Sequence, residues 1–398
     1  MRRRPIAVLV VLIGLLVAAC GGDDDGKTTS ASGQEQPPIR VGAIFNMTGP
    51  NSTLGQEELR GVEAAAADVN RRGGVLGRRL EVIKADAASD PQKAATEATR
   101  LIDEGVAVVL GPDGAQMTLP IVPIANQRGV PLVSASAGFF SRVPAEQLRW
   151  VFSVGPDFAT KGLPTFVSYW KQRGLKRIAV LSNQTPVFEL VNGFLGKAAP
   201  AAGLQVVGAE AFPAGQPDVS PLVAKLAGRD PHVLLLPHVG ADVATAIRNY
   251  RSVAPRDVEL TTNAAAANRR FIELVGEPAM EGVVLNGWKA MVFDQLPAED
   301  PIRPEIERYR QGMEAQSGEW DPASSAIVGW DGLLVVARAP EQSKTAERAA
   351  VRDALEGVDL QGAMTRWRFS ATEHEGAPAG QVWVMVQRVA GGWKRVDG

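Results

Sequence analysis

The strongest constraint on the fold is a regular alternation of short β-branched runs with stretches of helical periodicity. Residues 39–45 (IRVGAIF) predict a strand, and apolar residues then recur at helical spacing from Leu59 to Val69. Alternation of this kind is typical of βαβ units, in which helices connect parallel strands. The chain is therefore predicted to be an α/β protein built on doubly wound parallel sheets.

The alternation runs through two similar sets of elements, which predicts two sheets rather than one large sheet. The first set has predicted strands at residues 39–45, 80–85, 106–110, 131–135 and 150–154, with helices at 92–103 and 116–126. The second set has predicted helices at 159–172, 188–198, 219–226 and 241–250, with strands at 177–181, 204–209, 232–236, 258–262 and 282–285. Helices at 304–316, 324–339 and 346–355 follow, and residues 365–370 and 381–389 alternate as the strands of a hairpin.

The N-terminus has the features of an export signal. Three arginines, residues 2–4, precede an apolar run at 6–19, which is too short to cross a bilayer core of about 30 Å comfortably. The run ends in Val17-Ala18-Ala19-Cys20, which resembles a bacterial lipobox, so we expect cleavage before Cys20 and a lipid on its thiol. An ordinary signal peptide or an N-terminal membrane anchor stays open as the alternative. Residues 20–38 then predict a flexible tether, because after the cysteine they contain Gly, Ser, Asp and Pro and no large aliphatic side chain.

Composition and motifs exclude several classes of function. The chain has 42 Lys plus Arg and 44 Asp plus Glu, a net charge of −2, and so lacks the basic excess that holds nucleic acids. With one cysteine, neither a disulfide framework nor a multi-thiolate metal site is expected. The histidines are scattered, and no phosphate-binding loop, dinucleotide fingerprint or nucleophile elbow is present. We therefore predict a protein that is not an enzyme and that needs no cofactor or metal.

The loops that follow each predicted strand are the places to look for a binding site. Ligands of open parallel sheets bind outside the carboxyl ends of the strands. In two facing lobes, these loops would converge on a single cleft, where a small molecule is expected to bind. The loops are residues 46–54, 111–118, 134–140, 182–189, 237–242 and 263–268.

Five segments follow the order and spacing of one known family. The first strand runs into Thr48-Gly49-Pro50, and residues 69–80 (VNRRGGVLGRRL) are similar to an I-N-x-x-G-G-I-x-G signature. Residues 86–91, 109–112 and 130–134 match the next three landmarks. The chain therefore resembles the extracellular binding proteins for branched-chain amino acids.

This resemblance implies a type I periplasmic-binding fold, in which two lobes are joined by three hinge crossovers and close on a ligand. It also implies a partner, the membrane permease of an ABC importer. Crossovers are expected near Gly155, Asn286 and Gly362. The lobes would then comprise residues 39–155 plus 287–362 for lobe I and residues 156–286 plus 363–398 for lobe II.

The expected pocket departs from the family pattern. The resemblance implies a hydroxyl after the third strand, a threonine after the fourth and an acidic residue from lobe II, which together hold an α-amino acid. The corresponding positions hold Ala115, Gly138 and Ala264, and Leu54 stands where an aromatic side chain is expected. An ammonium group in a closed cleft without an anionic partner is penalised by several kcal/mol. We therefore expect a neutral or weakly polar ligand, such as an amide, an aromatic acid or a peptide fragment, rather than a standard α-amino acid.

The candidate ligand-binding residues are polar and aromatic side chains near these strand ends. For each of them, a turn residue or a core aromatic is the alternative interpretation. Lobe I contributes Thr48, Gln116, Ser134 and Ser136, with Phe139 as a wall. Lobe II contributes Phe188, His238 and Asn263, with Trp288 at the lip near a crossover.

Together these features predict a monomeric lipoprotein on the extracytoplasmic face of the cell membrane, anchored through Cys20. It would capture a small molecule between its lobes and deliver it to an ABC permease. Two alternatives stay open. One is a sensory or regulatory receptor with the same fold, and the other is a degenerate member with a structural or adhesive role.

Overall fold

A five-stranded sheet forms the first half of the computed structural model, which describes residues 36–237, 240–253, 257–378 and 380–397. Neighbouring strands are parallel and follow the order 2-1-3-4-5, so the sheet is doubly wound as predicted. Its strands are β1 (Ile39–Phe45), β2 (Leu80–Asp86), β3 (Val108–Leu110), β4 (Leu132–Ser134) and β5 (Val151–Ser153).

A second, seven-stranded sheet follows, and its first five strands are also mutually parallel. They are β6 (Arg177–Asn183), β7 (Gln205–Phe212), β8 (Val233–Leu236), β9 (Glu259–Thr262) and β10 (Val284–Gly287). A separate pair is formed by β11 (Asp359–Gln361) and β12 (Arg366–Arg368). Two antiparallel strands, β13 (Val384–Val389) and β14 (Gly392–Arg395), complete the second sheet, whose order is β14-β13-β10-β9-β8-β6-β7. The α/β class with two parallel-stranded sheets is thereby confirmed.

The predicted hairpin near the C-terminus is wrong in its pairing. The segment around β12 pairs with β11, which the sequence analysis did not predict, and β13 pairs with β10 and β14 instead. Alternating apolar and polar residues show that a segment can form a strand with one buried face, but they do not identify the partner strand.

Helices connect the strands and cover the sheets. The predicted helix at 116–126 is interrupted, because Pro120 has no amide hydrogen to donate to the preceding turn. The predicted helix at 159–172 begins instead with a π-helical turn, Phe158–Gly162. The helices are α1 (Ser52–Arg71), α2 (Pro91–Asp103), α3 (Ala115–Thr118), α4 (Ile121–Arg128), α5 (Leu163–Gln172), α6 (Pro186–Ala201), α7 (Ser220–Ala227), α8 (Ala241–Val253), α9 (Arg269–Val275), α10 (Glu277–Met280), α11 (Arg303–Ser317), α12 (Ala326–Ser343) and α13 (Arg348–Leu355).

Helices from late in the chain pack on the first sheet through α1. Gly329 in α12 lies so close to α1 that a Cβ atom there would overlap the backbone oxygen of Glu58. Trp330 is fully buried at the same interface, where its ring meets that of Tyr309 from α11 edge to face at 5.5 Å. The packing of α11 and α12 on α1 is therefore stabilised by a close approach of the backbones and by burial of aromatic rings.

The chain passes between the two sheets three times. It leaves the first sheet after β5, returns after β10 to place α11 and α12 on α1, and enters the second sheet again at β13. Asp331 in α12 fixes the third passage, because its carboxylate accepts hydrogen bonds from the backbone of Ala363 and Met364 and from the indole of Trp367, at 2.7–2.9 Å. The exact lobe boundaries stay a prediction.

Candidate ligand-binding cleft

A buried hydrogen-bond network ties together the loops at the carboxyl ends of β1, β2 and β3. The backbone and side-chain amides of Asn46 donate to the two carboxylate oxygens of Asp113, at 3.1 and 2.8 Å. The side-chain oxygen of Asn46 accepts from the backbone amide of Ser89 at 2.7 Å. Burial raises the pKa of Asp113, although the bonds from Asn46 oppose this rise. The network fixes the loops on which the candidate residues are carried.

Thr48 belongs to a second network, at the end of β2. Its hydroxyl donates to Oδ2 of Asp86 at 2.7 Å, while Oδ1 of Asp86 accepts from the backbone amides of Met47 and Ala88 at 2.9 and 2.8 Å. Partial burial alone would raise the pKa of Asp86, but these hydrogen bonds outweigh it and lower the pKa. The exposed Thr48 hydroxyl keeps acceptor capacity, and its role in ligand binding stays a prediction.

Ser134 and Ser136 are brought together at the end of β4. The Ser134 hydroxyl lies 2.9 Å from that of Thr118 and 3.2 Å from the backbone oxygen of Pro112, and it accepts from the amide of Ser136 at 3.1 Å. Ser134 is fully buried, so its hydroxyl holds the β3 and β4 loops together. Ser136 is half-buried and its side chain is the more accessible of the two.

A carboxylate lies beside Ala115 and Gly138, two of the small residues at positions where the resemblance implies hydroxyl-bearing side chains. A Cβ atom placed on Gly138 would lie 3.7 Å from Oδ2 of Asp157 and 3.8 Å from Cβ of Ala115. The other oxygen of Asp157, Oδ1, accepts from the backbone amide of Thr160 at 2.7 Å and begins the π-helical turn. Ala115 and Gly138 therefore form a small floor with one carboxylate oxygen of Asp157 close beside it, a feature that the sequence analysis missed.

The other two candidates from the first sheet differ in exposure. Gln116 is exposed at the start of α3. Phe139 is fully buried in the hydrophobic core beneath the β4 loop, with its ring centroid 4.6 Å from that of Phe140. Neither observation tests ligand binding, and both assignments stay predictions.

The candidates from the second sheet lie at the carboxyl ends of β6 and β9 and after β10. Phe188, near the start of α6, is half-buried against the core of that lobe. Asn263 donates to the backbone oxygen of Pro237 at 3.0 Å and accepts from the amide of Ala265 at 3.0 Å. Trp288 is buried and stacks on Trp383, with ring centroids 6.2 Å apart. His238 lies outside the described residues.

Three chain passages between two doubly wound sheets, with polar loops at the strand ends, define a bilobal α/β ligand-binding protein. The chain belongs to the periplasmic binding protein family, whose sequence model matches residues 38–392. The Leu/Ile/Val/Thr-binding protein of Salmonella typhimurium is 26% identical over 274 residues, which cover 69% of this chain and 73% of that protein.

Solved structures agree with this fold. An extracellular ligand-binding receptor from Rhodopseudomonas palustris HaA2 is similar with a TM-score of 0.78 and 22% identity, over 90% of this chain and 99% of the receptor. The branched-chain amino acid transporter substrate-binding protein LivJ of Streptococcus pneumoniae, solved with isoleucine, gives a TM-score of 0.75 and 19% identity, over 91% of this chain and 100% of that protein. The resemblance to branched-chain amino acid binding proteins and the type I fold are thereby confirmed.

The relatives are binding proteins, which supports the prediction that this chain is not an enzyme. The family is extracytoplasmic, and within the described part of the chain no helix has the length and apolar character needed to cross a membrane. Among the same residues, no group of three or more His, Cys, Asp or Glu side chains is arranged to hold a metal ion.

Proposed function

We propose that the chain is an extracytoplasmic solute-binding protein that closes its two lobes on a small, amino-acid-like, amide or peptide-like molecule. The observation that carries this proposal is the carboxylate of Asp157 beside the floor formed by Ala115 and Gly138. A site of this kind suits a ligand that presents an ammonium or amide N–H group to the carboxylate. The names of the relatives, which include Leu/Ile/Val/Thr-binding, support the same class of ligand.

Asp157 bears on whether a zwitterionic ligand can bind. Ala115, Gly138 and Ala264 carry no charge and offer no anionic partner for an ammonium group. Oδ2 of Asp157 supplies such a partner close to two of these positions. We therefore place α-amino acids among the ligands to be tested, beside amides, aromatic acids and short peptides.

We further propose that the protein is lipid-anchored through Cys20 and delivers its ligand to an ABC permease. Cys20 lies outside the described residues, and the proposal rests on the lipobox-like sequence before it. Where the described chain begins, the guanidinium of Arg78 donates to the backbone oxygens of Pro37 and Pro38, at 2.6 and 3.3 Å. Because Pro38 precedes β1, the tether would join at the amino ends of the strands, opposite the candidate cleft.

The test is a ligand screen with the chain from residue 20 onward, carrying Cys20→Ser to prevent acylation. Thermal unfolding is followed with leucine, isoleucine, amides, aromatic acids and short peptides. A ligand that binds only the folded state stabilises it by about 2.7 kcal/mol at a hundredfold excess over Kd. A response to at least one compound supports solute binding, whereas silence across the panel favours the alternative of a degenerate interaction protein.

The Asp157 contact is tested with Asp157→Asn in the same screen. Asparagine caps a helix start as well as aspartate does, so this variant removes the charge and keeps the hydrogen bond from Thr160. Asp230→Asn is the matched control, because Asp230 is 92% exposed and its left-handed backbone conformation suits asparagine. Equal ligand-induced stabilisation of Asp157→Asn and the control would contradict the proposed contact.

A further inference from the structure

We propose that Lys161 is a positioning residue, whose ion pair with Glu375 holds the carboxylate of Asp157 beside the floor formed by Ala115 and Gly138. Lys161 lies in the π-helical turn that follows the first chain passage. Glu375 lies on the third passage, in the segment that leads from β12 to β13. This positioning role rests on the proposed function, because it concerns the same solute contact, but its first test needs no solute.

The ammonium group of Lys161 makes two short contacts with the third passage. Its Nζ lies 2.6 Å from a carboxylate oxygen of Glu375 and donates to the backbone oxygen of Ala377 at 2.6 Å. The side chains of Lys161 and Glu375 are only 11% and 17% exposed. An ion pair that is largely shielded from water is screened little by salt, and loss of one partner leaves the other charge uncompensated. The pair therefore holds the two passages together more firmly than an exposed ion pair would.

The segment that carries Glu375 is itself fixed to the first sheet. The backbone oxygen of His374 accepts a hydrogen bond from the amide of Ser153 in β5 at 2.9 Å. The His374 ring also stacks on the ring of Phe152, with centroids 4.1 Å apart. Through Glu375, the side chain of Lys161 therefore connects the π-helical turn back to the strand that precedes it.

Asp157 lies between two points at which the chain is held. Before it, a Cβ atom on Gly155 would lie 2.0 Å from the backbone oxygen of Ala135, so the first passage runs directly against the loop after β4. After it, the backbone oxygen of Asp157 accepts from the amide of Lys161 at 3.0 Å, and Oδ1 accepts from the amide of Thr160 at 2.7 Å. The turn that uses these bonds is anchored by the Lys161 side chain. Without that anchor, we expect the turn and the carboxylate to move more freely relative to the floor.

Amide hydrogen exchange resolved to single residues tests this role without a solute. The Thr160 amide donates to Oδ1 of Asp157, so its exchange rate reports whether the carboxylate stays in place. In the chain from residue 20 with Cys20→Ser, Lys161→Met should raise this rate by about tenfold or more, toward the rate in Asp157→Ala. The double variant Lys161→Met/Glu375→Gln leaves no unpaired charge and should give the same increase. An unchanged rate in both variants would overturn the proposed role.

Lys225→Met is the matched control. Lys225 on α7 pairs with Glu210 on β7 at 2.7 Å, and its side chain is 54% exposed. Its removal takes away a lysine and an ion pair of similar length that joins no two passages. The exchange rate of the Thr160 amide should be unchanged in this variant. An equal increase in Lys225→Met and Lys161→Met would overturn the proposed role.

Calorimetry with the strongest binder from the ligand screen, with leucine as the first probe, tests the link to solute binding. If Lys161 acts through Asp157, Lys161→Met should weaken binding by about tenfold alone and have little further effect in combination with Asp157→Asn. Equal weakening in both backgrounds would overturn the role, because Lys161 would then act independently of Asp157. A screen without any binder would count against the proposed function, and the Thr160 exchange rate would still decide whether Lys161 holds Asp157.

Discussion

The indole nitrogen of Trp367 donates a 2.8 Å hydrogen bond to Oδ2 of Asp331, a carboxylate with no exposed surface. Burial raises the pKa of Asp331 from 3.8 to about 6, even though the bonds from Trp367, Met364 and Ala363 oppose the rise and Glu305 adds to it. The third chain passage is thus held by a carboxyl group that binds its proton more tightly in the folded state than in the unfolded chain.

This difference predicts a pH dependence of stability. The stabilisation linked to the Asp331 proton is complete below about pH 4 and is lost as the pH rises through about 6. The loss is on the order of 3 kcal/mol. Urea unfolding of the wild type and of Asp331→Asn at several pH values measures the contribution of Asp331. The other titrating groups are the same in both proteins, so their contributions cancel when the two free energies of unfolding are subtracted. The wild type should lose stability relative to Asp331→Asn as the pH rises from 4 to 7, and a difference that does not vary with pH would contradict the assignment.

Two glycine-to-alanine substitutions should have opposite effects. Gly329→Ala should destabilise the protein by about 1–3 kcal/mol or more, because the new methyl group would overlap the backbone oxygen of Glu58. Gly193→Ala, within α6, meets no heavy atom within 4 Å and should stabilise the protein by about 0.5–1 kcal/mol. Denaturant unfolding of the two variants measures both. A Gly329→Ala variant that is as stable as the wild type would contradict the close approach of α12 to α1.

Ser134→Ala should reduce the free energy of unfolding by about 1–3 kcal/mol, because it removes the hydrogen bonds that the Ser134 hydroxyl makes to the Ser136 amide and the Pro112 oxygen. Ser136→Ala should have a smaller effect on stability, since its side chain is half-buried. Urea denaturation compares the two variants. If Ser134→Ala proves as stable as the wild type, Ser134 does not hold the β3 and β4 loops.

Gly138→Thr and Gly138→Val form a matched pair that differs by a hydroxyl. The position has room for a Cβ atom, whose nearest neighbours would lie at ordinary contact distances of 3.7 and 3.8 Å. A hydroxyl beside Asp157 and Ala115 would add a hydrogen-bond partner for a polar ligand. Once a ligand has been found, calorimetry should give tighter binding to Gly138→Thr than to Gly138→Val by about tenfold. Equal affinities would indicate that the ligand does not reach this floor.

The sequence predicted the positions of strands and helices more accurately than it predicted the pairing of strands or the residues of the ligand-binding site. Strand β1 begins and ends where the apolar run predicts, because Pro37 and Pro38 precede it and the Thr48-Gly49-Pro50 loop follows it. The partner strands of β12 and β13 could not be predicted. Alternation of apolar and polar residues indicates which face of a strand is buried, but it does not indicate which strand lies next to it.

The candidate site was incomplete for a similar reason. Ala115 and Gly138 were located from the resemblance, and the structure places them side by side. Asp157 lies in the loop that follows β5, so the rule that ligands bind beyond strand carboxyl ends would have included it had the loop after the fifth strand been considered. One oxygen of Asp157 accepts the hydrogen bond at the start of the helix, and the other oxygen is thereby left close to Gly138. The sequence alone does not determine this orientation of the carboxylate.

The carboxylate of Asp157 is the proposed charged contact of a captured solute. Calorimetric titration of the wild type, Asp157→Asn and Asp230→Asn with the best compound from the ligand screen is the most direct test. We predict that Asp157→Asn weakens binding by at least about tenfold, while Asp230→Asn matches the wild type. Dissociation constants that are the same for all three proteins would contradict the proposed contact between Asp157 and the solute.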